Sequence, residues 1–221
     1  EFAPGNLYYD GTASSWKFES NQWDFRTYND GTKQGGSCIN GAYNSNTGTP
    51  NGDWGLFGWS GSDQTHYGKI TTQNNPDYSG SFMDWGGLAI GNDPVNTWRT
   101  LSKGEWNYLL NNRAKASSLR AWVTLDNNVP GLVILPDGST TAASTVTTTA
   151  LVGSSGAVFL PASGNRDGMD VNAVGSVVSY WSSTPDGTDV AYLMYFYSGN
   201  VLTVNTNRYY GNAVRLVRAA E

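Results

Sequence analysis

A chain of 221 residues is long enough for one large domain or two small ones, and its 38% hydrophobic and 13% aromatic content can bury a real core. Only 14% of residues are charged, with Gly, Asn, Ser and Thr filling the gap, which suits short strands and many turns and argues against a helical bundle. A net charge of −5 offers no basic field to a phosphate backbone, the single cysteine Cys38 excludes an internal disulfide, and no apolar run approaches the ~20 residues of a membrane helix.

In chain order, residues 6–9 and 16–19 read as two strands around a turn signal at Asp10-Gly11. Residues 26–97 read as irregular, and the triplet Asp-Trp-Gly recurs at 53–55 and 84–86 with unlike flanks, so it marks two loop anchors and no true repeat. A helix is predicted from Ser102 to Lys115. Ser102 and Glu105 form a capping box, Trp106, Leu109 and Leu110 supply an apolar stripe, and Arg113 and Lys115 sit at the negative end. Strands follow at 120–125 and 131–135, the second stopped by Pro136-Asp137-Gly138. The uncharged stretch 139–150 reads as a long loop or flexible excursion. Further strands are expected at 157–161, 178–182, 190–197, 201–204 and 213–218, with a hairpin turn at Ser198-Gly199-Asn200.

The residues that carry catalysis are scarce. A nucleophilic triad needs a base, and the one histidine, His66, reads as a surface loop residue. No zinc-ligand spacing and no phosphate-cradling glycine motif is present. Asn165, Asp167 and Asp170 lie close in a Gly-containing loop, but no closing Glu follows, so an Asx-turn loop is favoured over calcium. Any pair of the 18 acids could serve a glycoside hydrolase, yet nothing singles one out. Trp23, Trp54, Trp59 and Trp85, each beside or near Gly or Asp, read as plugs of a loop-rich core, with a sugar-stacking platform as the sharper alternative for one or two.

The segment 182–212 stands apart, with no Lys, Glu, Gln or Trp and with Tyr192, Tyr195, Tyr197, Tyr209 and Tyr210 clustered among small polar residues. Random replacement of adenines in Asn codons of the AAC type gives Tyr, Asp, Ser, Thr, Val, Leu, Ala, Phe and Gly, and never Lys, Glu, Gln, Trp or Met. The segment passes that filter except at Met194. On composition alone, two core strands and a tyrosine-rich binding surface stand equal.

Longer matches decide between them. Tyr180-Trp-Ser-Ser-Thr-Pro185, Arg208-Tyr-Tyr-Gly211 and Val214-Arg-Leu-Val-Arg218 resemble the variable region of proteins diversified by diversity-generating retroelements. Trp98 to Leu109, Ala157 to Gly164 and Phe2 to Leu7 resemble the scaffold of the same bacterial group. The resemblance implies an α+β, C-type-lectin-like fold of the formylglycine-generating-enzyme type, with short antiparallel strands, few helices and long irregular loops. It implies one domain over 1–221, with a scaffold over 1–176 and a variable region over 177–218. The variable, ligand-facing positions it implies are Val178, Ser179, Asp186, Thr188, Asp189, Val190, Leu193, Tyr195, Tyr197, Leu202, Val204, Asn205, Thr206, Asn207, Tyr210 and Asn212. Trp181, Ser182, Ser183, Arg208, Gly211 and Arg215 are implied to be scaffold.

The expected function is therefore binding of a protein or surface ligand by a display protein on a cell surface or phage particle, with no cofactor, no nucleic acid and no membrane span. The alternatives are a static carbohydrate-binding lectin or adhesin, for which a glycan is the partner, and a carboxylate-pair hydrolase. Two enzymatic branches of the same fold are disfavoured by counting ligands: a copper oxidase needs two cysteines, and an iron-dependent sulfoxide synthase needs several histidines. The terminal strands are expected to pair, with the helix packed on the sheet.

Overall fold

The computed structural model describes residues 1–26, 55–60, 81–152, 156–167, 170–197 and 199–220. Cys38, Trp54, His66 and most of the first Asp-Trp-Gly triplet lie outside these residues. The described chain is α+β, mostly strands in small antiparallel sheets with few helices. No described helix is long and apolar enough to cross a membrane.

The first hairpin pairs β1 (Leu7–Asp10) with β2 (Ser15–Phe18). Asp10 closes its turn, accepting from the Thr12 and Ala13 amides at 3.0 and 2.8 Å and from Lys17 Nζ at 2.7 Å. The second Asp-Trp-Gly triplet forms a short 3-10 turn. Asp84 accepts from the Gly86 amide and, at 2.9 Å, from that of Thr100 in β3 (Arg99–Thr100). Gly86 is required there, because a Cβ would stand 1.7 Å from the Trp98 carbonyl oxygen.

Helix α1 (Lys103–Asn107) starts with the expected capping box. It does not run on to Lys115. A π-helical turn, Tyr108–Asn112, follows, and the Arg113 amide donates to the Tyr108 carbonyl before the backbone extends. The Arg113 guanidinium leaves the helix end for the Leu135 carbonyl at 2.8 Å and Asp137 at 3.1 Å. That buried bond competes with a weak macrodipole contact and wins. Trp106 and Leu110 are fully buried beneath this helix.

Strands β4 (Arg120–Thr124), β5 (Pro130–Ile134) and β6 (Val158–Pro161) form one antiparallel sheet covered on both faces. Leu132 and Ile134 enter the cluster around Trp106, while Val133, Leu135 and Phe159 enter a second one. Ala143, Val146 and Leu151 complete the second cluster, Leu151 from helix α2 (Thr148–Val152). The stretch read as a long loop or flexible excursion thus covers the sheet, because its scattered apolar residues find a sheet face. Asn165–Asp167 and Asp170–Asn172, read as a loop, form strands β7 and β8 of a short hairpin. Backbone bonds between Arg166 and Gly211 in both directions hold it.

The terminal segments pair as expected: Ala3 donates to Leu216 at 2.9 Å, Leu7 to Val214 at 3.0 Å and Arg218 to Glu1 at 2.9 Å. The strand expected at 213–218 shrinks to β12 (Leu216–Val217), which pairs with β3. Ala213 instead lies beside Tyr180, donating to the Ser179 carbonyl and accepting from the Trp181 amide, and Val214 accepts from the Leu7 amide, so the segment serves three neighbours.

Glu105 links this scaffold to pH. Hydrogen bonds from Arg99, at 2.6 and 2.9 Å, and from Ser102 lower its pKa from 4.5 to about 2. The folded carboxyl is the stronger acid, so its contribution is present above pH 4.5 and is lost as pH falls toward 2. The pair is 54% and 40% exposed, so screening limits the effect to about 1 kcal/mol or less. Glu105→Gln is expected to flatten the urea midpoint against pH in that window and to leave the neutral-to-alkaline limb parallel to wild type.

Candidate functional site

The C-terminal third supplies a three-stranded sheet in the order β11-β10-β9, from β9 (Val178–Asp186), β10 (Val190–Tyr197) and β11 (Asn200–Asn207). Gly187 and Gly199 take φ of +77° and +85° in the two connections, which L side chains rarely adopt. β9 runs four residues past its expected end. The register slips between Ala191 and Leu193, and this bulge lets pairing resume as far as Asp186 with Val190.

The two sheet faces are covered unequally. On one face Val178, Tyr180, Met194 and Phe196 enter the cluster built on Trp106 and Leu110. Phe196 stacks on Trp122 at 5.7 Å, and Lys103 of α1 lies 3.4 Å from the Tyr192 ring centroid. On the other face Trp181 and Leu193 join a cluster with Phe57, Trp59 and Trp85, and Tyr195 and Val204 pack at its margin. Beyond that margin the sheet is open. Tyr197 is 43% and Leu202 44% exposed, and Tyr195 and Tyr197 touch with ring centroids 5.6 Å apart.

The expected ligand-facing positions therefore divide. Thr188, Asp189, Tyr197, Leu202 and Asn205 are exposed, and Asp186, Val190, Tyr195, Val204, Thr206, Asn207 and Tyr210 are half-buried. Val178, Ser179, Leu193 and Asn212 are buried, which corrects the expectation that they face a ligand. Val178 and Leu193 are core side chains on opposite faces. The Ser179 hydroxyl donates to Asn212 Oδ1, and Asn212 bonds through its backbone to Phe57 in both directions. The cause is the 211–214 segment, which runs beside β9 and shuts that side. Asn200 joins the exposed set and Tyr209 the half-buried one without having been expected there. Asn200 follows from its register opposite Tyr197, and Tyr209 meets Tyr210 edge-on at 4.8 Å.

Buried anchors fix the sheet. Trp181 Nε1 donates to the Phe57 carbonyl at 2.7 Å, and Ser182 Oγ to that of Tyr192 at 2.7 Å. The Ser183 amide donates to the Leu101 carbonyl at 2.9 Å. Arg208 clamps the β9–β10 turn, donating to Val190 at 3.2 Å and Gly187 at 2.7 Å while its guanidinium lies 4.2 Å from the Trp59 ring centroid. Burial lowers its pKa below the usual arginine value. Gly211 lets the Arg166 side chain pass, since a Cβ would stand 2.9 Å from Arg166 Cβ. A cleft of about 420 Å³ lies beside this turn, between Trp59, Phe82, Pro185, Thr188 and Arg208.

Trp59 and Trp85 are inside the core and Trp23 is half-buried against the α2 cluster, so neither Trp59 nor Trp85 can stack on a sugar at the surface. Among the described residues, no three His, Cys, Asp or Glu side chains come together as metal ligands. The arrangement offers exposed phenol rings, aliphatic side chains and amides on an anchored sheet, which is the chemistry of contact and hydrogen bonding. No family model matches this chain, and no curated protein or solved structure matches it.

Proposed function

We propose that the protein is a ligand-binding display protein built on a C-type-lectin-like scaffold, whose variable surface is the open end of the β9–β11 sheet. One observation carries this reading. Tyr195, Tyr197, Leu202 and Val204 lie together on one sheet face at and beyond the margin of its core cluster, while the bonds that fix the strands come from buried Trp181, Ser182 and Arg208. Side chains can change on such a face without loss of the backbone that presents them. Tyrosine gives rigid amphipathic area at low entropy cost, and an exposed apolar patch is tolerated where it is a contact site. The ligand is a protein or other surface component, met outside the cytoplasm at a cell surface or on a phage particle. Neither a catalytic step nor a cofactor enters.

The test is the DNA that flanks the gene. A reverse transcriptase and a near-copy of the stretch encoding 178–218 are expected, with differences mainly at adenines. Those differences should fall in codons of the exposed and half-buried positions and spare the codons of Val178, Leu193 and Asn212. Absence of both elements would sink the diversified reading and leave a static lectin or adhesin.

A further inference from the structure

We propose that the outer edge of β11 pairs antiparallel with the same edge of a second copy, joining two three-stranded sheets into one of six strands. This goes beyond ligand binding and stands whether or not that reading holds. Among the described residues β11 ends the sheet, and its eight residues are paired on one side only. The two-residue connection makes Tyr197 and Asn200 the first hydrogen-bonded pair, and bonded pairs recur at Leu202, Val204 and Thr206. The backbone N–H and C=O groups of Val201, Thr203 and Asn205 therefore point away from β10. Among the described residues, no strand, bridge or backbone hydrogen bond meets them there.

An unpaired edge is a template for another chain, and proteins guard it with Lys, Pro, a bulge or a very short strand. β11 has none of these. Asn-Val-Leu-Thr-Val-Asn-Thr-Asn carries no charge and no proline, and it pairs with β10 without a register shift. The occupant is a second copy because the strand nearly complements itself. With Thr203 on a two-fold axis, Leu202 faces Val204 of the partner subunit, and Val201 faces Asn205 of the partner subunit. Leu202 and Val204 then sit at non-hydrogen-bonded positions, where side chains approach most closely, and the exposed leucine gains an apolar neighbour. No like charges oppose each other along the seam. A two-fold contact is the commonest closed assembly, and it turns both open sheet faces to the same side, so one dimer would present two contact surfaces.

An eight-residue edge seam is smaller than a standard interface, so the dimer is concentration-dependent. Sedimentation velocity of the full chain from about 1 to about 200 μM is expected to move from one to two chain masses. Thr203→Pro removes an outward N–H, and Thr203→Lys sets two ammonium groups on the axis. Neither touches a bond to β10. Each is expected to weaken association by about 30-fold or more with unchanged far-UV circular dichroism. Val152→Lys, at an exposed position of α2, should dimerise like wild type. A wild-type chain that stays monomeric throughout, or a dimer that survives both Thr203 variants, overturns the proposal.

Discussion

Arg215→Met is expected to lower the free energy of unfolding by about 3–5 kcal/mol, the cost of breaking a buried hydrogen-bond cluster built on one charge. Arg215 is 1% exposed and donates to four oxygens: Asn6 Oδ1 at 2.9 Å and the carbonyls of Phe159, Gln22 and Ala3 at 3.1, 3.2 and 3.3 Å. Those acceptors come from the N-terminal segment, the residues after β2 and strand β6. Methionine fills much of the volume but leaves the carbonyls short of donors where water has no access. Tyr180 shares the cluster, donating to Asn6 Oδ1 at 3.0 Å, and burial pushes its pKa up to about 12. Tyr180→Phe should cost only about 1 kcal/mol, because Asn6 keeps its bond to Arg215. Arg215→Lys should recover little, since three donors on one nitrogen cannot reach acceptors spread around a planar fork. Urea unfolding at constant slope measures all three. A loss below about 1 kcal/mol for Arg215→Met would show that the cluster relaxes or hydrates.

Some of this fold is legible in the sequence because the signals are local. The Ser102–Glu105 box fixes the start of α1, and the β-forming residues of 190–197 before the Ser198-Gly199-Asn200 turn signal place β10 to the residue. The end of α1 is not legible, because Arg113 leaves the helix for a carbonyl 22 residues away. The uncharged stretch 139–150 reads as a long loop or flexible excursion, yet its Ala143 and Val146, with Leu151 just beyond it, suffice to cover a sheet whose position no local pattern reveals.

The candidate site divides for the same reason. Alternation along β9 and β10 says which side chains share a face, but both faces are partly covered, so it cannot say which are free. Val178 and Leu193 are hidden by clusters on opposite sides. Ser179 and Asn212 read as polar surface residues and are instead each other's buried partners. Exposure in this sheet changes along the strands more than between faces, and periodicity carries no information about that gradient.

The gradient gives the second large effect. Leu193 and Tyr197 lie on the same face of β10, four residues apart, so one substitution can be compared at both. Leu193 is 3% exposed and packs with Trp181, Trp59 and Phe57. Leu193→Asn removes that apolar burial and puts an amide into a cluster of aromatic rings, and the expected loss is about 3–4 kcal/mol. Tyr197→Asn exchanges one half-solvated side chain for another beyond the margin of the cluster, where surface changes stay within about 0.5 kcal/mol. Thermal unfolding at low protein concentration reads both without interference from association. Equal losses at the two positions would mean that the open end of the sheet is as constrained as its root, and a display surface there would have no room to vary. The expected contrast, about 100-fold or more in the folding equilibrium, is the physical margin that lets one strand serve as core at Leu193 and as open surface at Tyr197.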